Sequence, residues 1–363
     1  MHIGLGLYRS ALTQRNFQFA RQAGATHVVA HLVDYFGGAN HEISRGTDDG
    51  WGAASGGQAW GEDELRQLVD GLKQQGLALA AIENFDPAQW FDILLDGPQK
   101  LQQIEVIRQT IRAAGRAGVP TIGYNFSIAG VWGWTRGPYA RGGAMSVAFD
   151  ADAIDVSEPI PDGMVWNMRY RAKRSDGVVG EIGSDELWQR LRWFLERVLP
   201  VAEECGVNLA LHPDDPPMES LRGAARLVNR PEKYEWLLDI SRSPANKLEL
   251  CLGSVQEMAG GAMDTYQTLE KYVREQRVGY IHFRNVKGKV PKYAEVFVDE
   301  GDIDMARIVR ILHDNDYRGV IVPDHTPALE CDAPWHAGMA YALGYMRALV
   351  QLAQQGRLVA ANA

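Results

Sequence analysis

Short apolar runs alternate with stretches of helical periodicity from one end of the chain to the other. Residues 2–7, 27–32, 77–82 and 119–124 are compact apolar runs, and similar runs begin at 209, 247, 278 and 319. Near-continuous apolar runs of this length predict strands buried on both faces, as in a parallel sheet. Between them the apolar positions recur at helical spacing, predicting helices over 13–24, from the acidic start at Glu62, and over 98–117, 184–205, 305–315 and 338–355. Eight strand–helix pairs in regular alternation predict a single-domain α/β fold, the (β/α)8 TIM barrel, spanning residues 1–363.

Two stretches break the alternation. Residues 36–60 are rich in Gly, Ala, Asn and Trp, and residues 127–183 carry Trp132, Trp134, Trp166 and Tyr170 among several arginines. They follow the second and fourth strands, so both are expected as long loops on the face where a barrel keeps its active site. A lid and a structural or oligomer contact are both compatible with the second loop.

The balance of 37 basic against 46 acidic residues gives a net charge of −9, which excludes a basic surface for nucleic acid or anionic membrane. The apolar runs are too short to span a bilayer. The first residues enter a strand without the pattern of a secretory signal. Three cysteines, Cys205, Cys251 and Cys331, suit a reducing cytoplasm better than a disulfide framework. Together these features predict a cytoplasmic protein acting on a small molecule.

The candidate chemistry lies at the ends of the last four strands. Leu209-Ala210-Leu211 runs into His212-Pro213-Asp214-Asp215-Pro216-Pro217, whose prolines restrict the polar side chains between them. The next three strands deliver Cys251 into a Gly-Ser turn, His282 before Arg284 and Asn285, and Asp324 beside His325. Imidazole, thiolate, imidazole and carboxylate together form a ligand set for a divalent transition metal. One of Asp214 and Asp215 is expected to orient His212, and the other to cap a following helix near Met218. Glu83 ends the third strand and is expected to face the pocket; His31, Asp34, Tyr8 and Arg9 also stand at strand ends.

In combination these residues resemble the mannonate dehydratase family. The similarity is carried by His212-Pro213-Asp214-Asp215-Pro216-Pro217, Tyr124-Asn125-Phe126, Trp134-Thr135-Arg136, Cys251-Leu252-Gly253-Ser254, His282-Phe283-Arg284-Asn285 and Pro323-Asp324-His325, over nearly the whole length. The resemblance implies that His212, Cys251, His282 and Asp324 ligate Mn2+ and that His325 is the catalytic acid/base. It also implies that Asn125, Arg284 and Asn285 lie near the substrate, and that the protein is a homo-oligomer. The pattern departs after His325, where Thr326-Pro327 replaces the family's Gly-Arg, and again where a catalytic tyrosine is expected and Trp335-His336 stands instead. Tyr124, His336 or a loop residue is a candidate for that missing role, and Arg284 or Arg136 for pairing with a substrate carboxylate. The thiolate by itself favours Zn2+, and the ligand set also permits Co2+ or Fe2+.

The expected reaction is removal of water from a sugar acid, D-mannonate or a related aldonate, giving a 2-keto-3-deoxy acid. A metal-dependent isomerase or epimerase of the xylose-isomerase-like barrels is the competing enzyme class, and a non-catalytic sugar-acid binder is the third reading.

Overall fold

A computed structural model describes residues 1–35, 58–170 and 176–358. Eight parallel strands close into a barrel in chain order: β1 (His2–Leu7), β2 (His27–Ala30), β3 (Ala78–Glu83), β4 (Thr121–Tyr124), β5 (Asn208–Leu211), β6 (Asn246–Cys251), β7 (Val278–His282) and β8 (Val320–Val322). The closing pair sets His2 against Val320 and Ile3 against Ile321. Each strand is a short run of buried apolar residues, so its two faces serve the barrel interior and the helical ring at once.

The helices obey local rules. Thr13 accepts the Asn16 amide and caps Gln14–Gln22, while Glu62, Asp63 and Glu64 crowd the first turn of Glu62–Gln74, where the helix dipole favours acid. Lys100–Ala117 stops at Gly118, whose φ of 80° is a left-handed conformation that glycine adopts without strain. Helix Ser184–Cys205 has the predicted bounds. Residues 87–95, given no element by the sequence pattern, form the helix Pro87–Leu95, started by an Asp86 side-chain cap and a proline in its first turn.

The stretch 127–183 is more ordered than a loop. Strands Trp134–Ala140 and Ala144–Asp150 form a hairpin that pairs with a second hairpin, Asn285–Lys289 and Lys292–Val296, to make a four-stranded antiparallel sheet. Lys292, Tyr293 and Ala294 register with Asp150, Phe149 and Ala148. The second hairpin leaves the end of β7, so the sheet stands over the C-terminal mouth of the barrel. Most of the 36–60 stretch lies outside the described residues. No helix among the described residues is long and apolar enough to cross a membrane, and Cys205, Cys251 and Cys331 are all free thiols.

Candidate active site

Ligand-competent atoms of His212, Cys251 and His282 lie within 4.8 Å of one another at the ends of β5, β6 and β7. His212 donates from Nδ1 to the carbonyl of Pro213 at 2.6 Å, so Nε2 is the ring nitrogen left for Cys251 or a metal. Burial alone would raise the Cys251 thiol, but Arg284 and the neighbouring His212 and His282 rings carry it down to about 5. The thiolate is the form that binds a metal. Burial would lower His212, yet its bond to Cys251 and the charge of Glu249 raise it to about 9.

His282 is gripped from below. Its Nε2 lies 3.1 Å from Glu83 Oε2 and 3.1 Å from Glu249 Oε1. Its Nδ1 is buried and finds no hydrogen bond of sound geometry, with Asp324 Oδ2 3.4 Å away. An imidazole held by carboxylates through one nitrogen, with the other orphaned toward a thiolate and a carboxylate, fits a divalent cation. The His212, Cys251 and His282 donors therefore suit a metal, and Asp324 adjoins them beside His282. Room beneath it comes from Gly123 of β4, where a Cβ would meet Tyr280 Oη at 2.1 Å and Glu249 Oε2 at 2.4 Å. Burial works against ionisation of Glu83, but His31 and His282 hold its carboxyl below the usual range. Glu249 goes the other way, raised by burial and by Glu83 to about 8.

His325 lies beside Asp324, its side chain 25% exposed. Both Glu295 oxygens lie 3.0 Å from its Nδ1, and the Trp134 ring stands edge-on at 5.6 Å. Burial opposes the charged ring, but Asp324 and Glu295 raise it to about 9. The charge of a bound dication would oppose that shift.

The same cavity is lined by Tyr8, His31, Glu83, Asn125, Trp134, Trp166, His212, His282, Arg284, Asp324 and His325. Glu83 and Asn125 thus lie where the sequence places them, although Glu83 is anchored to His282 and accepts from Tyr280 at 3.2 Å. Arg136 is exposed on the hairpin and lines an adjoining cavity.

Three expectations are corrected, and a fourth residue, Arg284, lines the cavity in a different setting from the one expected. Tyr124 is fully buried behind β4, its ring packed against Trp90 and Phe194 at 6.4 and 5.7 Å, so it cannot reach the site. His336 is tied to Asn16 Oδ1 at 3.1 Å and packs on Phe19, away from the metal-competent cluster. Asn285 donates to Val298 and Ile303 carbonyls and accepts the Val286 and Ile303 amides, so its amide is fully committed to holding the loop. Arg284 reaches the cavity wall but is bound among carboxylates: Asp215 at 2.5 Å, Glu295 at 2.9 Å, Glu257 at 3.2 Å and Asp324 at 3.3 Å. It positions neighbours rather than presenting a free cation to substrate.

The paired aspartates also differ from expectation. Asp214 accepts the Leu227 and Val228 amides, and Asp215 accepts from Tyr293 at 2.6 Å as well as from Arg284. The Pro213 carbonyl, not an aspartate, orients His212. Residues the pattern did not single out are Glu295, Glu249, Glu257 and Tyr293. The alternation of buried positions in Lys292–Val296 carries a weak signal for Tyr293 and Glu295, a buried acid being unusual in a hairpin.

An eight-stranded parallel barrel with a metal-competent cluster at the strand ends defines the class: a TIM-barrel protein with its chemistry at the C-terminal mouth. The chain belongs to the mannonate dehydratase family, since the D-mannonate dehydratase family model matches residues 17–357. It is 31% identical to a mannonate dehydratase of Geobacillus thermodenitrificans over 292 residues, 74% of this chain and 76% of that protein. The crystal structure of mannonate dehydratase from Streptococcus suis serotype 2 superposes with a TM-score of 0.76 at 26% identity, covering 98% of this chain and 94% of the other. A xylose isomerase domain protein from Planctomyces limnophilus shares only the fold, with a TM-score of 0.56 at 14% identity over 97% of this chain and 98% of that one.

Proposed function

We propose that this chain is a metal-dependent hydro-lyase that removes water from a sugar acid, D-mannonate or a related aldonate, to give a 2-keto-3-deoxy acid. The observation that carries this reading is the position of the His325–Glu295 pair, with Asp324, beside the metal-competent His212–Cys251–His282 cluster at the mouth of the barrel. His212, Cys251, His282 and Asp324 would hold the ion, for which the family resemblance favours Mn2+ and the thiolate also permits Zn2+. A bound dication supplies stabilisation of the negative charge that grows on the substrate carboxylate as its α-proton leaves.

The chain's own residues do the rest. Glu295 fixes the His325 ring through Nδ1, leaving Nε2 to move the proton. The proton taken from C2 returns to the hydroxyl leaving C3, so water departs and the enol formed becomes the 2-keto acid. Arg284 links Asp215, Glu295 and Asp324 into one rigid support. Trp134 and Trp166 wall the cavity against water, and Asn125 offers an amide to substrate hydroxyls. Arg136 stands on the approach. The resemblance also favours a homo-oligomer, which light scattering on the purified protein tests.

The deciding experiment is turnover of a panel of aldonates by Mn2+-loaded protein, scored for 2-keto-3-deoxy acid. Product from D-mannonate or another aldonate supports the reading. Isomerised or epimerised sugar without that product would favour the competing barrel chemistry.

A further inference from the structure

The cavity around the metal-competent cluster is small, about 70 Å³, while a neighbouring cavity of about 330 Å³ shares Tyr8, Asp324 and His325 with it. The two adjoin through these shared residues. An acid whose carboxylate and α-hydroxyl sat at the metal-competent cluster, with C2 and C3 at His325, would find the larger compartment open to its farther carbons.

That compartment is a poor home for a polyol. Its far wall is Met145, Val147, Ala328, Pro334, Trp335 and Met339. Its polar groups near His325 are already committed: Ser146 donates to the Glu295 carbonyl at 2.5 Å, and the Glu295 carboxylate holds Arg284 and His325. Among the described residues the remaining polar side chains, Tyr8, Asp324 and His325 with Thr326, stand at the junction with the smaller cavity or beside His325, and Arg136 is exposed. The wall is built rather than incidental, because the Ala328 amide donates to the Met145 carbonyl at 2.8 Å and joins the segment after His325 to the hairpin. A hydroxyl set against that far wall loses water without gaining a partner there, whereas apolar carbon gains. For scale, a cavity of about 150 Å³ lined by apolar side chains takes up benzene.

Resting on the lyase reading above, we propose that the natural substrate is a sugar acid whose far carbon bears a methyl or O-alkyl group in place of a free hydroxyl, seated against the Met145–Ala328–Trp335–Met339 wall. The first test compares D-mannonate with 6-deoxy-D-mannonate, which share every remaining stereocentre. The expected result is a kcat/KM about tenfold or more higher for the deoxy acid, in line with what one group is worth in an apolar pocket. Equal or better use of D-mannonate would overturn the inference.

A second test is independent of turnover and of sugar stereochemistry. Calorimetric titration of the metal-loaded full chain compares lactate with 2-hydroxyhexanoate, which share the chelating end and differ by three methylenes. The longer acid is expected to bind at least about tenfold tighter, and Ala328→Phe, with folding verified by its melting temperature, is expected to abolish that gain. Equal affinities, or a gain that survives the filled wall, would overturn the proposal. If this binding pattern appears while no aldonate is dehydrated, the lyase reading fails and the apolar subsite stands. If aldonates are dehydrated without it, the subsite alone fails.

Discussion

Glu295 faces His325 with both carboxylate oxygens, each 3.0 Å from Nδ1, and the same carboxylate takes Arg284 Nη1 at 2.9 Å. The residue with the proposed proton-transfer role is thus anchored to an antiparallel hairpin outside the barrel. His325→Ala should lower kcat by about 10²–10⁴, the usual worth of a positioned acid/base. Glu295→Gln should lower it by about 10–100-fold with KM nearly unchanged, because the ring loses its orientation and not its contact with substrate. Steady-state kinetics of both variants check this; a Glu295→Gln enzyme with wild-type kcat would contradict it.

Glu83 grips His282 through Nε2 while Nδ1 turns toward the ligand set. Removing that grip should weaken metal binding more than it disturbs the fold. Glu83→Gln is expected to bind Mn2+ about 10–100-fold more weakly, as for other partners of ligating histidines. Competition with a chelator measures it, and an unchanged affinity would show that the ring is held by Glu249 alone.

Asp215 supplies a pH dependence whose sign follows from its setting. Burial resists its ionisation, but Arg284 and Tyr293 hold the folded carboxyl below its ordinary value. Its contribution to stability is therefore fully present above the unfolded pKa of about 3.9 and is lost as pH falls through the lower folded value. Denaturant unfolding between about pH 5 and pH 2 should show wild-type stability falling with acidification. Asp215→Asn should be less stable at neutral pH, by about 3–5 kcal/mol for a broken buried pair, and flatter in the acid range.

Two substitutions should do little to catalysis. Tyr124→Phe removes a buried hydroxyl that finds no partner among the described residues, so it should leave kcat within about twofold and stability equal or about 1 kcal/mol higher. His336→Ala should likewise keep kcat within about twofold, because its ring contacts Asn16 and Phe19 rather than the site. A hundredfold loss in either variant would mean that the site reaches further than the geometry described above.

The barrel was legible because its strands are apolar on both faces and its helices carry ordinary caps and stops, as at Thr13 and Gly118. The metal-competent cluster was legible because His212, Cys251 and His282 all stand at or just beyond strand ends. The antiparallel sheet was not, since pairing of Tyr293 with Phe149 joins segments far apart in sequence and Gly137 and Pro138 interrupt the local strand signal. Consecutive strand residues point to opposite faces, so Tyr124 and Asn125 could not both look into the pocket, and only Asn125 does. Arg284 read as a substrate anchor because its carboxylate partners Asp215, Glu257 and Glu295 come from separate elements. The departures after His325 gained a meaning only in space, where Thr326, Ala328 and Trp335 line the larger compartment.

The most direct test of the central claim is to measure metal content and turnover together while Mn2+ is titrated into stripped protein. The account predicts activity on a sugar acid rising in proportion to bound metal and saturating at one ion per chain, with Cys251→Ala losing both. Full activity in metal-free protein, or in a Cys251→Ala variant that binds no ion, would contradict it.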